Sequence, residues 1–122
     1  MIYETQEQLN EALALWQKRL RLNDWQMSAE FSCPRDMNGC RGDIATWGEL
    51  AEAHIRITRQ DSNSNFDTGR PFDHEQILVH ELIHGHFEGI APSREDSVRY
   101  MLWERGIEQM AKAITDAYRE VK

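Results

Sequence analysis

One stretch of strict alternation narrows the possible folds more than anything else in the chain. Ala51, Ala53, Ile55 and Ile57 take turns with Glu52, His54, Arg56 and Thr58. A period of two places the apolar set on one face of a strand, so the segment belongs to a sheet packed on one side and wet on the other. A sheet face of that kind needs something laid against it, and the sequence on either side has helical periodicity. Upstream, Thr5 followed three residues later by Gln8 forms a capping box, and Leu9, Ala12, Leu13, Trp16 and Leu20 recur at helical spacing to about Leu22. Downstream, Asp73 can cap a helix carrying Ile77, Leu78, Leu82 and Ile83, which should stop between Gly85 and Gly89 ahead of Pro92. Ser93 and Asp96 repeat the capping pattern and open a last helix to about Tyr118.

Two more strands are expected between the first helix and the alternating run. Trp25, Met27, Ala29 and Phe31 alternate up to Pro34, and Ile44 to Trp47 follows a loop at 36–42. The order is helix, three strands, helix, helix, an α+β arrangement. With 122 residues, splitting it would leave each half short of core, so residues 1–122 are expected to form a single domain. The polar run at 59–71 is expected to be an exposed loop.

Composition removes several classes of function. Fourteen Lys and Arg against 21 Asp and Glu give a net charge of −7, a field that repels phosphate backbones, so no nucleic-acid partner is expected. The basic residues of the last helix, Arg94, Arg99, Arg105 and Lys112, are interleaved with acids and form a mixed solvated face. No apolar stretch approaches the roughly 18 residues of a membrane span, and the opening Met1, Ile2, Tyr3, Glu4 lacks the character of a secretory signal. The expectation is a cytoplasmic protein without a membrane partner. There Cys33 and Cys40 would stay thiols, at a spacing no common zinc motif uses.

The chemistry is concentrated in the middle helix, where His80, Glu81, Leu82, Ile83 and His84 spell H-E-x-x-H. Imidazoles four positions apart leave one helix face about a turn apart and can reach one zinc ion (Zn2+), while Glu81, turned by about 100 degrees from His80, can act on a water as general base. A catalytic zinc normally takes three protein ligands, and the last helix is the natural source of the third. Its apolar stripe, taken as Tyr100, Trp103, Ile107, Met110, Ala111, Ile114 and Tyr118, has Glu104 at its inner edge and Glu108 further toward the polar side. Glu104 is therefore the expected third ligand. The competitor, His86, lies two positions from His84 and points to the other side of its helix.

These residues resemble the minimal gluzincin group of metallopeptidases, in particular small phage and bacterial zincin-like proteins related in core to the SprT-like and ImmA/IrrE-like families. The likeness rests on His80 to His84, on the run Glu104-Arg105-Gly106-Ile107-Glu108-Gln109-Met110-Ala111, and on the stretch from Trp16 to Trp25. In the ImmA/IrrE-like pattern a glutamate ligand precedes alanine, asparagine and an aromatic residue, where this chain has Ile107, Glu108 and Met110. The resemblance implies a zincin-like core, zinc held by His80, His84 and Glu104, and peptide hydrolysis with Glu81 as base, in a bacterial or phage-infected cell. It also implies an extended protein or peptide substrate paired along an edge strand, expected to be Ala51 to Thr58. Tyr100, His54 and His74 are candidates to stabilise the oxyanion. The alternative is a catalytically silent zincin-fold module that binds protein.

Overall fold

The first helix, α1 (Gln6–Arg19), begins where its capping box places it: the Thr5 side chain accepts from the Gln8 N–H, and the Gln8 side chain returns to the backbone of Thr5. It ends a turn earlier than its apolar spacing implies, because Arg21 takes a left-handed conformation (φ 62°) and swings Leu22 into the core. The computed structural model describes residues 1–33, 40–59 and 73–120. Pro34, most of the 36–42 loop and all but Arg59 of the 59–71 loop lie outside those residues.

Three strands follow, β1 (Gln26–Ser32), β2 (Gly42–Trp47) and β3 (Glu52–Thr58), in the spatial order β1-β3-β2. β1 runs parallel to β3 and β2 antiparallel to it. The expectation that Ala51 to Thr58 forms an edge strand is thus corrected: β3 is central, hydrogen-bonded on both sides. Alternation reports which face of a strand is packed and is silent on whether its edges are paired. Among the described residues, the sheet's two edges are β1 and β2.

Register determines what each edge offers. The Thr58 N–H donates to the Arg41 carbonyl, and Gly42, Ile44 and Thr46 stand opposite Ile57, Ile55 and Ala53. Antiparallel pairing alternates, so the N–H and C=O groups of Gly42, Ile44 and Thr46 face away from β3. On β1 the corresponding outward carbonyl of Ala29 is taken by the side-chain amide of Gln6, at 2.7 Å.

The helix α2 (His74–Phe87) is capped by Asp73, whose carboxylate accepts from the Gln76 N–H. It lies across β2 and β3 and buries Leu78, Val79, Leu82 and Ile83 in one cluster with Leu9, Leu13 and Trp16 of α1 and Ile55 and Ile57 of β3. At about 1.5–3 kcal/mol for each fully buried Leu or Ile, that cluster outweighs any local propensity and holds α2 firmly beneath the sheet.

The last helix, α3 (Ser97–Glu120), starts three residues later than the pattern at Ser93 implies. Ser93 instead closes a turn, accepting from the N–H groups of Glu95 and Asp96, and Asp96 accepts from the Arg99 N–H at the head of the helix. The buried row of α3 is Ile107, Ala111 and Thr115; Met110 and Tyr118 are exposed. The stripe is therefore rotated from its expected centre, and Glu104 and Glu108 both face α2.

Candidate functional site

His80 and His84 stand on the face of α2 that meets α3, and their Nε2 atoms are 3.1 Å apart. Glu104 reaches across from α3: its Oε2 is 3.4 Å from His80 Nε2 and its Oε1 is 3.3 Å from His84 Nε2. The three side chains converge as expected. Among the described residues they form the group whose ligand atoms all lie close enough to share one ion.

The spacing itself tests whether a metal fits. Zinc bonds of about 2.0–2.1 Å in tetrahedral geometry separate the donor atoms by roughly 3.3–3.4 Å. The observed separations of 3.1, 3.4 and 3.3 Å match that edge length within a few tenths of an ångström. The donor set, two imidazoles and a carboxylate, suits zinc chemically. Charge agrees, for three carboxylates, Glu81, Glu104 and Glu108, surround the two rings. Burial disfavours a charged His80, yet hydrogen bonds to Glu104 and Glu108, with the Glu81 charge, outweigh it and raise its pKa to about 10. Hydrogen bonds from His80 and then His84 hold the Glu104 carboxyl well below the usual carboxylate range. The cluster favours positive charge, which a protonated His80 supplies and a divalent cation could supply in its place.

Glu81 is buried beside this triangle, its Oε2 4.0 Å from His80 Nε2. Burial raises its pKa to about 7, against the pull of the two histidines. Such a carboxyl is balanced between its protonated and ionised forms near neutrality. Space for it depends on Gly42: a Cβ there would come within 2.6 Å of Ile77 Cγ2 and 3.3 Å of the Glu81 carboxylate. Only glycine lets β2 pass this close to the helix.

Glu108 lies closer to the centre than the apolar stripe predicts. Its Oε2 accepts from His80 Nδ1 at 2.5 Å, and its Oε1 accepts from the Gln76 amide at 2.9 Å. With the Nδ1 proton committed to Glu108, Nε2 of His80 is left to face Glu104 and His84, which is how an outer carboxylate orients a ligand imidazole. The available signal was the interval of four from Glu104, which puts both acids on one face. Trp103, a member of the expected apolar stripe, stands edge-on to His84 with ring centroids 4.7 Å apart.

The remaining candidates separate cleanly. His86 contacts the Leu20 carbonyl at 2.6 Å and takes no part in the cluster. His74 is buried among structural partners: its Nδ1 accepts from the Tyr3 N–H at 2.8 Å and its Nε2 donates to the Thr58 carbonyl at 3.1 Å. This excludes it as an oxyanion donor. His54 is on the outward face of β3, engaged by Ser28 and Glu30, so it too is removed. Tyr100 stays beside the centre, where burial and the neighbouring Glu104 charge raise its pKa.

A cleft of about 800 Å³ opens from His80 and Glu81 along α2, walled by the start of β2 on one side and by Glu108 and Lys112 of α3 on the other. Cys33 and Cys40 are both free thiols and exposed; Cys40 lies at the mouth of this cleft. No helix among the described residues is long and apolar enough to cross a membrane. Comparison with protein-family models, with curated proteins and with solved structures finds no match to this chain.

Proposed function

We propose that this chain is a zinc-dependent peptidase of the minimal gluzincin type. The observation that carries the proposal is the near-tetrahedral triangle of His80, His84 and Glu104 atoms with the buried Glu81 carboxylate beside it. The element order supports it as well: a small mixed sheet, the H-E-x-x-H helix and a following helix that contributes a glutamate. His80, His84 and Glu104 would hold the ion. When bound, zinc supplies Lewis acidity, acidifying water and polarising a carbonyl.

The protein's own groups then have distinct tasks. Glu108 fixes the His80 ring through Nδ1. Glu81, buried beside the site, takes a proton from the attacking water and returns it to the departing amine. Tyr100, next to Glu104, is the remaining side chain of the three considered that can donate toward a developing oxyanion. An extended substrate pairs with the outward backbone groups of Gly42, Ile44 and Thr46, so strand addition is reassigned from β3 to the β2 edge.

The test separates metal binding from catalysis. Purified protein loaded with one equivalent of zinc is digested against a broad peptide library, beside Glu81→Gln. Cleavage by the parent protein and at least 100-fold slower cleavage by Glu81→Gln with zinc retained is the expected outcome. Zinc bound by both proteins with no peptide cut by either would instead favour the catalytically silent binding module. Failure to take up zinc at all would end the peptidase reading and leave a module that binds protein without a metal.

A further inference from the structure

The cleft that leaves His80 and Glu81 changes character along its length. Near the centre its floor is Ile77 and its wall the glycine of β2; farther on it meets Lys112 of α3, with Arg41 on the strand side. The charged lining is mixed, for Arg41, Lys112 and Arg119 share it with Asp73, Glu81 and Glu108. Arg119, at the far end, is already matched by Asp73 at 2.9 Å and Glu75 at 2.9 Å. Lys112 is held differently. Its Nζ is 4.0 Å from Glu108 Oε1, an atom that the Gln76 amide approaches to 2.9 Å. An ammonium has three donors, and this contact at the limit of pairing leaves Lys112 able to take another acceptor.

Distance sets where that acceptor would sit on a substrate. Lys112 follows Glu108 by one helical turn, about 6 Å along α3, and Glu108 touches His80. An extended chain advances about 3.3–3.6 Å per residue. The first or second residue beyond the cut bond, on the side toward the N-terminus of α2, therefore comes level with Lys112.

We infer that this end of the cleft is a carboxylate-recognition subsite: Lys112 selects peptides that carry a carboxylate on the first or second residue from the scissile bond, on the side toward the N-terminus of α2. The inference rests on the peptidase reading for its substrate class. An acidic side chain supplies that chemistry, and so does a free C-terminus when the substrate lies with its C-terminal half on this side of the cut.

The experiment uses the zinc-loaded 122-residue chain and paired peptides with Asp or Glu replaced by Asn or Gln at those two positions, each with a free and an amidated C-terminus. Two quantities are read: the acid-to-amide ratio of kcat/KM, and the same ratio of affinities for zinc-loaded Glu81→Gln by fluorescence anisotropy. A preference of about tenfold for the carboxylate is expected in both, the size of one charge-assisted hydrogen bond, and it should shrink in high salt. Persistence in amidated peptides identifies the side chain as the source; confinement to free C-termini identifies the terminus. Lys112→Gln should bring the ratio close to one and Lys112→Arg should restore it, whereas a purely structural role would lower acid and amide peptides alike. Equal binding of acids and amides, or an unchanged ratio in Lys112→Gln, overturns the subsite. A parent protein that binds acidic peptides tenfold better yet cuts none would retain the subsite and remove the peptidase.

Discussion

Glu108 shows how one carboxylate can matter without being a ligand. It accepts a hydrogen bond from His80 Nδ1 at 2.5 Å, so replacing it with glutamine keeps the volume and removes the charge. Glu108→Gln should weaken zinc binding by about 10–100-fold, as outer-sphere changes do, measured by competition with a chromophoric chelator. His74 belongs to the same scale but to stability. Burial is the chief cause that lowers its pKa, and its Nδ1 must stay unprotonated to accept from Tyr3. The unfolded chain takes up this proton near the ordinary value of about 6.5, while the folded chain resists it. The contribution of His74 is thus complete above pH 6.5 and is lost as pH falls below it toward the lowered folded value. Denaturant melts of the parent and of His74→Gln, which can still accept and donate at the same place, should differ in acid slope between pH 6.5 and 4. Parallel slopes would refute this account.

Among the elements, the β2–β3 connection carries a visible strain. A 3-10 turn at Gly48–Leu50 leads into Ala51, which adopts a left-handed conformation (φ 51°) and starts the return strand. A Cβ in that region costs about 1 kcal/mol, which glycine avoids. Ala51→Gly should therefore raise unfolding stability by up to about 1 kcal/mol in urea titration, less the extra entropy of the unfolded chain. Much of the element content could be seen in the sequence because it is written locally: the Thr5 and Gln8 box, the Asp73 cap and the alternation of β3 each involve residues within a few positions of one another. Strand order was hidden, since a central strand and a one-sided edge strand alternate alike. The start of α3 was hidden because Ser93 and Asp96 satisfy the spacing of a capping box while forming a turn ahead of the helix. Glu104 could be placed from the apolar stripe, but Met110 and Tyr118 drew the estimated centre of that stripe away from α2, and Glu108 went with it. Local pattern located the histidines and the base; the packing angle between two helices decided the rest.

On the scale of the whole molecule, the candidate centre bridges two helices with unequal anchorage. α2 buries Leu78, Val79, Leu82 and Ile83, whereas α3 buries Ile107, Ala111 and Thr115 and exposes Val98, Met101 and Leu102 near its start. Zinc bound as proposed stabilises only the folded chain, by about 2.7 kcal/mol at a free concentration one hundred times its dissociation constant. Thermal melts should rise with added zinc in the parent protein and stay unmoved in His84→Ala. Since Glu104 sits twenty positions beyond His84, an ion gripping both would act on the intervening chain much as a crosslink does, closing a short ring through 3-10 turn, bend and first helical turns. Stripping the ion would release that ring. The bond most exposed to an added protease should then fall between Glu88 and Asp96, so that loading state could be read from the pattern of nicking, with no substrate of its own in the tube.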